Sequence, residues 1–490
     1  NINRIFGENR KEILKQGCSL KEEREMQEME APMNFWGDTV AAISTPYGKG
    51  GVGMIRISGP EAFAVAEAMF RPQSGRTVGE LPDRQATYGK ILYKKEFLDD
   101  GVLTLYKAPR SFTGENVAEI CCHGGVLLTE KVLESALLCG AVPAGAGEFS
   151  KRAFLNGKIT LSEAEAVIDL INAESEVQLR VAGENSTGAL GRRVQEIYEA
   201  LCRLLASMYA FTDYPDEDLT DLSPKELGAE LLNIRKKLEN LTAGYRQGHA
   251  VMEGLKTVIV GRPNTGKSSL LNGILGKDRA IVSPVAGTTR DTVEENVFVG
   301  RVLLHLCDTA GIHGTTNDVE RLGVKRSLEK LKEAELILAV FDGSEEASGE
   351  DRQLLGLLGE QRAPVIALLN KSDLPARFER TLLAPYKTFA FSAKEEGMPR
   401  ELPRYLEELF ETDRLNTSEK GLLTNARQAA AAEEALAAVD RALEALEMGQ
   451  TQDLAALDLE IAMERLGEID GRSVREDIVS EIFSRFCVGK

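Results

Sequence analysis

The chain has 490 residues, 43% of them hydrophobic, and a formal net charge of −18. Because this length exceeds the size at which one hydrophobic core stops growing, we expect about two to four domains. The acidic balance argues against a protein that coats nucleic acid by bulk attraction, although it is compatible with a local basic groove. No run of about 18 uncharged apolar residues occurs and no secretory segment opens the sequence, so we expect a cytoplasmic protein without a membrane partner.

The cysteine and histidine content argues against both a disulfide framework and a zinc site. Seven cysteines are scattered without regular spacing, which favours reduced thiols. The four histidines show no HExxH or paired Cys/His spacing. Cys121, Cys122 and His123 are adjacent, but neighbours on a strand point to opposite faces. We therefore predict no structural zinc.

The pattern of the sequence changes along the chain and divides it into segments. Residues 1–32 are polar and charged and precede Met33, so we expect an extension that contributes nothing to the fold. Residues 33–154 mix short β-rich runs with two apolar helical stretches, 61–70 and 125–139, which is typical of an α/β domain. Residues 155–253 and 414–490 read as helices that need partners to bury their apolar faces. Residues 254–413 alternate strands and helices, as in a parallel doubly wound sheet, and are predicted to be an insertion.

A phosphate-binding loop follows the first strand of this central domain. The uncharged run 257–260 (TVIV) predicts a buried strand, and residues 261–268 (GRPNTGKS) have the spacing GxxxxGKS before a helix. Glycines allow backbone N–H groups to surround the phosphates, and the helix N-terminus adds further donors. Lys267 is predicted to reach the β- and γ-phosphates, and the Ser268 hydroxyl to bind Mg²⁺.

Further motifs follow in the order that a GTPase requires. Residues 287–291 (GTTRD) supply Thr289, which can join Mg²⁺ and contact the γ-phosphate. Residues 308–311 (DTAG) follow a strand-like run, and Asp308 would hold Mg²⁺ through water. However, Ile312 comes next, and an aliphatic side chain cannot orient the attacking water.

The last two motifs indicate guanine as the base. Residues 370–373 (NKSD) end a third buried run, and the Asp373 carboxylate can accept hydrogen bonds from N1–H and the 2-amino group of guanine. Adenine lacks that pair of donors and would leave a buried carboxylate unpaired. Residues 392–394 (SAK) complete the base pocket. We therefore predict a GTP-hydrolysing domain.

The chain from Asp38 onwards resembles the MnmE (TrmE) family of tRNA modification GTPases. The resemblance extends beyond the shared GTPase motifs. It includes residues 45–53 (TPYGKGGVG), 55–59 (IRISG), 111–115 (SFTGE), 147–158 (GEFSKRAFLNGK), 164–166 (AEA) and 486–490 (FCVGK). The fold it implies is α/β and α: an N-terminal α/β folate-binding domain, a discontinuous all-helical domain and an inserted Ras-like P-loop GTPase domain with a mostly parallel sheet.

The resemblance also implies substrates and partners. Members act with MnmG (GidA), which carries FAD, on the wobble uridine of certain tRNAs and install an aminomethyl or carboxymethylaminomethyl group. The N-terminal domain is expected to form a homodimer and to bind 5-formyl-tetrahydrofolate or a related folate. The protein as a whole is expected to join MnmG in a heterotetramer or larger complex. Positions that match the folate contacts are Arg56, Glu119, Lys158 and Lys490.

For the GTPase reaction, the resemblance implies K⁺ as the missing positive charge and hydrolysis by paired GTPase domains. Asn264 matches the asparagine that binds K⁺ with oxygens of Ser283, Val285 and Thr288, and Glu320 matches the glutamate that positions water. Catalytic residues are thus expected at Glu320, Lys267 and Asn264. The full set of predicted GTP contacts is Asn264, Thr265, Gly266, Lys267, Ser268, Ser269, Ser283, Pro284, Val285, Ala286, Gly287, Thr288, Thr289, Asp308, Thr309, Ala310, Gly311, Asn370, Lys371, Asp373, Ser392, Ala393 and Lys394. Cys487 matches a family cysteine, for which a role in the modification chemistry and a packed, inert thiol are both open.

Two other functions are weighed. Residues 48–53 satisfy GxGxxG, the fingerprint of nicotinamide and flavin enzymes, but that fingerprint must open a helix, and residues 52–57 read as a strand. An Era-like GTPase that binds RNA would share all the GTPase motifs. The segments FLNGK at 154–158 and CVGK at 487–490 favour the tRNA modification family instead.

Overall fold

A computed structural model describes residues 37–213, 224–277, 294–307, 331–412 and 421–489. The predicted extension 1–32 lies outside them. The chain divides into two compact units, the first comprising Asn1–Ile159 with Val479–Lys490 and the second Thr160–Ile478. The sequence-based boundaries had assigned all of 414–490 to the helical domain, whereas the final segment belongs to the first unit.

The first unit contains a seven-stranded sheet in the order β3-β4-β5-β6-β2-β1-β7. Its pairs are antiparallel except for β1 with β7. The strands are β1 (Val40–Ile43), β2 (Val52–Ser58), β3 (Phe70–Pro72), β4 (Thr87–Tyr93), β5 (Glu96–Tyr106), β6 (Val117–His123) and β7 (Val142–Pro143). Among the described residues, the α-helices that lie wholly in this unit are α1 (Ala62–Met69), α2 (Val126–Leu138) and α3 (Glu148–Leu155).

Alternation along the strands determines which sheet face is buried. In β2, Ile55 and Ile57 are fully buried while Arg56 between them stays partly accessible. The buried side chains pack with Val65 and Met69 of α1 and with α2 in one core. Both helices that the sequence predicted in this unit are therefore confirmed. The run 52–57 is a strand, so the GxGxxG match does not open a helix.

Glycine at position 147 explains why the end of the chain can join this unit. Gly147 has φ +61°, and a Cβ there would lie 2.6 Å from the Phe483 carbonyl oxygen. The Gly147 N–H donates to the Cys487 carbonyl at 3.3 Å, and Ala146 forms a β-bridge with Val488. Only a residue without a side chain permits this approach.

The second unit contains a helical core that is built from both sides of the central domain. Its helices are α4 (Leu161–Asn172), α5 (Glu176–Ser186), α6 (Ala189–Asp213), α7 (Pro224–Ala243), α8 (Tyr245–Met252), α12 (Ala426–Glu447) and α13 (Gln452–Asp470), and α14 (Glu476–Ser484) crosses into the first unit. Leucines of α6 and α7 pack in one cluster with alanines of α12 and α13. The prediction that the two helical segments pack together is confirmed.

The central domain has a six-stranded sheet in the order β13-β12-β11-β8-β10-β9. Only β9 runs antiparallel to its neighbour. The strands are β8 (Leu255–Val260), β9 (Glu294–Val299), β10 (Val302–Cys307), β11 (Leu336–Asp342), β12 (Val365–Asn370) and β13 (Lys387–Ala390), and the helices are α9 (Lys267–Lys277), α10 (Gly349–Leu358) and α11 (Leu402–Leu409). Apolar clusters cover both faces, as a mostly parallel sheet requires. Among the described residues, no helix has the length and apolar character needed to span a membrane.

His249 ties α8 to the central domain through two carboxylates. Its Nδ1 lies 2.9 Å from Glu253 Oε2 and its Nε2 lies 2.7 Å from Glu335 Oε1. Burial alone would lower the pKa of His249, but the hydrogen bonds with Glu253 and Glu335 outweigh it and raise the pKa to about 9. The second oxygen of Glu335 accepts the Lys256 N–H at 3.0 Å. A charged imidazole thus links the two parts of the unit.

We expect this link to weaken at high pH. Because the folded pKa of about 9 lies above the ordinary value of 6.5, the stabilisation is complete below pH 6.5 and is lost as pH rises through about 9. Since both carboxylates are partly exposed, we expect the link to contribute only about 1–2 kcal/mol to the free energy of unfolding. The measurement is urea unfolding of the wild type and His249→Gln below pH 6.5 and above pH 9. A difference between the two proteins that does not shrink at high pH would contradict the charged link.

Candidate functional site

The phosphate-binding loop connects β8 to α9 and contains two glycines that no other residue can replace without strain. Gly261 has φ +152°, and a Cβ there would lie 2.3 Å from the Val340 carbonyl oxygen. Gly266 has φ +100°, and its Cβ would lie 2.0 Å from Asn370 Nδ2. Asn264 adopts left-handed geometry with φ +63°, which asparagine tolerates better than most residues. The backbone therefore curls tightly at the N-terminus of α9.

Lys267 closes this loop on itself. Its Nζ donates to the carbonyl oxygens of Gly261 and Arg262, both at 2.8 Å. Burial lowers the pKa of Lys267. The side chains of Ser268 and Asn264 are exposed at the same loop. A cation, a hydroxyl and an amide are thus presented beside the donors of a helix N-terminus, a combination that suits phosphate and its metal ion.

Asn370 joins three of the predicted motifs. It ends β12 and is 3% exposed. Its Nδ2 donates to the Thr265 carbonyl at 2.8 Å, and its Oδ1 accepts the Ala393 N–H at 2.9 Å. One buried amide therefore holds the phosphate loop and the 392–394 segment at the same edge of the sheet.

Lys371 and Asp342 form a second connection at this edge. Lys371 Nζ lies 2.5 Å from Asp342 Oδ2. Burial would raise the pKa of Asp342, but hydrogen bonds from Lys371 and Ser344 outweigh it and hold the pKa below its ordinary value. Asp373 is exposed, and Ser392 is buried with a hydroxyl that makes no hydrogen bond among the described residues. The carboxylate and the hydroxyl leave polar groups for a ligand.

Several predicted site residues lie outside the described residues. The structure brings together the contacts of 264–269, 370–373 and 392–394. The positions that it does not describe are Ser283, Pro284, Val285, Ala286, Gly287, Thr288, Thr289, Asp308, Thr309, Ala310, Gly311, Ile312, Glu320 and Lys490.

In the first unit, Arg56 and Glu119 form a cross-strand pair on the sheet face opposite Ile55 and Ile57. Arg56 Nε donates to Glu119 Oε1 at 2.8 Å, and both side chains are partly buried. The guanidinium lies 5.5 Å from the Phe112 ring centroid and 5.4 Å from that of Phe149. Burial and the neighbouring Glu119 raise the pKa of Tyr106. This cluster offers charged hydrogen-bonding groups next to aromatic surface.

Lys158 contacts the loop 109–114, which also contains Phe112. Its Nζ donates to the Pro109 carbonyl at 3.1 Å, and its side chain packs near Gly114. Glu115, directly after this loop, forms a buried ion pair in which Arg152 Nη1 lies 3.1 Å from Glu115 Oε2. Arg56 and Lys158 therefore contact one loop, 109–114, although the sequence separates them widely. Cys487 is exposed, which does not fit a packed thiol.

Some residues of these sites were missed by the sequence analysis. Tyr106, Phe112 and Phe149 surround Arg56, and Asp342 holds Lys371. The only available signal was position, because Asp342 ends a buried apolar run and so lies at the same sheet edge as the motifs. Phe112 and Phe149 lie in the segments 111–115 and 147–158 that carry the family resemblance, but nothing in the sequence placed them beside Arg56.

Comparison with known proteins gives matches along almost the whole chain. A model described as "GTP-binding protein TrmE N-terminus" matches residues 39–158, and one described as "MnmE helical domain" matches residues 161–487. The tRNA modification GTPase MnmE of Heliobacterium modesticaldum is 40% identical over 466 residues, covering 93% of this chain and 100% of that protein. The same-named protein of Clostridioides difficile is 40% identical over 460 residues, with coverage of 93% and 100%.

Two solved structures are also similar in part. Era of Aquifex aeolicus bound to GDP·AlF4− has a TM-score of 0.25 and 26% identity, covering 38% of this chain and 66% of that one. The G domain of the T. maritima FeoB iron transporter has a TM-score of 0.24 and 22% identity, covering 32% and 98%. The family models and the relatives, by contrast, extend over both units. The chain belongs to the family of the tRNA modification GTPase MnmE.

Proposed function

We propose that the chain hydrolyses GTP and uses this hydrolysis in modifying the wobble uridine of tRNA. The observation that carries the GTPase part is the Asn370 side chain, which hydrogen-bonds both to the phosphate loop and to the segment 392–394 that is predicted to contact the base. The tRNA part rests on family membership, since relatives named for tRNA modification match 93% of the chain. The test is mass spectrometry of wobble uridines in cells lacking the protein. Normal modification levels there would contradict the proposal.

GTP is the nucleotide that the residues favour. Lys267 and the backbone of the phosphate loop would bind the β- and γ-phosphates. Asp373, exposed next to the Asn370 junction, would accept from guanine, and the buried hydroxyl of Ser392 offers a further polar group. This pairing would exclude adenine because the carboxylate would lose both donors.

The loop would hold two cations, for which Ser268 and Asn264 are the donors among the described residues. The Ser268 hydroxyl at the start of α9 would hold Mg²⁺, with Thr289 directly and Asp308 through water. The Asn264 amide oxygen would bind K⁺ with oxygens of Ser283, Val285 and Thr288. Such a monovalent ion would supply the positive charge that other GTPases take from an arginine. Glu320 would position the attacking water, a task that Ile312 cannot perform.

The Arg56 cluster is the proposed folate site. The guanidinium of Arg56 and the carboxylate of Glu119 provide donors and acceptors on one sheet face, and Phe112 adds aromatic surface for a planar ring. Lys158 and Lys490 would add positive charge suited to a carboxylate tail. We further propose a homodimer through this unit and a partnership with MnmG, which would complete the modification reaction. Cys487 is exposed and is a candidate participant.

The first prediction concerns base selectivity. Asp373→Asn should lower the affinity for GTP by about 10²-fold and raise the affinity for xanthosine triphosphate, because the new amide presents a donor to the base. The measurement is competition binding with both nucleotides. Ser372→Ala removes the neighbouring exposed hydroxyl and should leave selectivity unchanged. Unaltered GTP affinity in Asp373→Asn would remove this residue from the pocket.

The second prediction concerns potassium. GTP turnover should be faster in KCl than in NaCl by orders of magnitude, because an arginine finger supplies about 10³–10⁵ in rate and K⁺ would replace it. Asn264→Ala should abolish this effect and keep GTP binding, since Lys267 remains. Glu320→Ala should keep K⁺-dependent dimerisation with a transition-state analogue and lose hydrolysis. Equal wild-type turnover in matched salts would refute the mechanism.

The third prediction concerns folate. Arg56→Ala should lower the affinity for 5-formyl-tetrahydrofolate by at least about tenfold without changing GTP binding, because the ligand loses a charged hydrogen-bond donor. Calorimetry with both ligands measures this. Arg76→Ala removes the same charge from an exposed position of the same unit and serves as the control. Wild-type folate affinity in Arg56→Ala would exclude the cluster.

A further inference from the structure

The chain passes between the helical core and the GTPase domain at two described segments. It leaves at the end of α8, where Gly254 has φ +79°, and returns ahead of α12, where Gly421 has φ +87°. We call residues 249–254 the exit linker and residues 421–424 the return linker. Any movement of the GTPase domain relative to the core acts on these linkers.

One helix, α5, binds both linkers through buried amides. Gln178 Nε2 donates to the Val251 carbonyl of the exit linker at 3.0 Å. Asn185 forms a reciprocal pair with the return linker, in which Nδ2 donates to the Leu422 carbonyl at 2.9 Å and Oδ1 accepts the Leu422 N–H at 3.2 Å. Gln178 is 5% exposed and Asn185 is 3% exposed. Because both amides are buried, neither can replace its backbone partner by water in the folded protein.

The two amides share one face of the helix. They are seven positions apart, which is about two helical turns. Val181 lies between them and packs with Val251 of the exit linker and Leu422 of the return linker in one apolar cluster. The same face thus has a polar contact for each linker and an apolar contact for both.

The linkers are also tightly packed. A Cβ on Gly248 of α8 would lie 2.1 Å from the Leu423 carbonyl oxygen, and one on Gly421 would lie 2.5 Å from the Leu190 backbone nitrogen. Arg193 Nη1 donates to the Gly421 carbonyl at 2.8 Å. On the side of the GTPase domain, His249 of the exit linker hydrogen-bonds to Glu335. Little room remains for one linker to move alone.

We propose that α5 couples the GTPase domain to the helical core, with Gln178 and Asn185 as positioning residues that make the two linkers move as one body. The coupling to tRNA modification rests on the proposed function, whereas the mechanical coupling does not. A buried amide that keeps its hydrogen bonds must follow its linker, and the rigid helix carries that displacement to the second amide.

Amide hydrogen exchange of the full chain tests the mechanical part. Asn185→Asp keeps the size and the acceptor of the side chain but loses the donor to Leu422. It should speed exchange in the return linker by about tenfold. Exchange in the exit linker, which contains neither hydrogen-bond partner of Asn185, should become faster as well. Gln178→Glu should give the reciprocal result.

Two further variants keep the outcome decisive. Val181→Ala leaves both polar contacts intact but weakens the apolar contact with both linkers, and it introduces no charge that could prevent folding. It should therefore speed exchange in both linkers, and faster exchange in only one of them would contradict the coupling. Gln195→Glu is the control, because Gln195 is exposed on α6 and bonds to Glu199 of its own helix. Faster exchange confined to the linker that each mutated residue contacts would overturn the proposal.

Activity measurements separate positioning from general stability. With Asn185→Asp, GTP turnover should change by no more than about twofold, while modified uridine formed per GTP hydrolysed should fall by about tenfold. A parallel loss of both activities would show a merely structural role and overturn the coupling. Wild-type protein that modifies no tRNA would contradict the proposed function, whereas the exchange result would still decide the role of α5.

Discussion

The helical core can only be completed by residues from both sides of the GTPase domain. Leu201 and Leu238 precede that domain, Ala435 and Leu459 follow it, and all four are fully buried in one cluster. Because amphipathic helices of this length gain most of their stability from such packing, neither half is expected to persist alone. The core therefore fixes where the chain must leave and return. The inserted domain is attached to the core at these two points, and the described residues of its candidate nucleotide site lie in the inserted domain itself.

Within the inserted domain, the mostly parallel sheet determines which loops lie close together. Loops that follow parallel strands meet at one edge, so the phosphate loop after β8 and the segment after β12 are neighbours by topology. Topology alone does not set their spacing, which is fixed by the two hydrogen bonds of Asn370. Lys267 then closes the phosphate loop onto its own carbonyls. Pre-formed loops of this kind lower the ordering cost of binding a nucleotide.

The sequence predicted what is local and periodic. The helices α1 and α2 fall within one residue of the expected limits at each end, because their apolar spacing and flanking glycine or turn residues are local signals. The phosphate loop was equally legible, since its glycines are demanded by backbone geometry. Partners distant in sequence were not. The packing of Val479–Gly489 on the first unit depends on Gly147, and nothing in a helical pattern says which surface will receive it.

The partners of the buried amides could not be predicted from the sequence either. Asn370, Asn185 and Gln178 bond to backbone groups that lie 105, 237 and 73 positions away, respectively. A backbone partner leaves no complementary side chain to detect, and a lone Asn or Gln in a helix reads as solvated surface. Neutral amides supply a donor and an acceptor without the desolvation cost of a charge. Where solvent reaches the joint, as between His249 and Glu335, an ion pair takes the place of an amide, and its strength depends on pH because the pKa of His249 is raised to about 9.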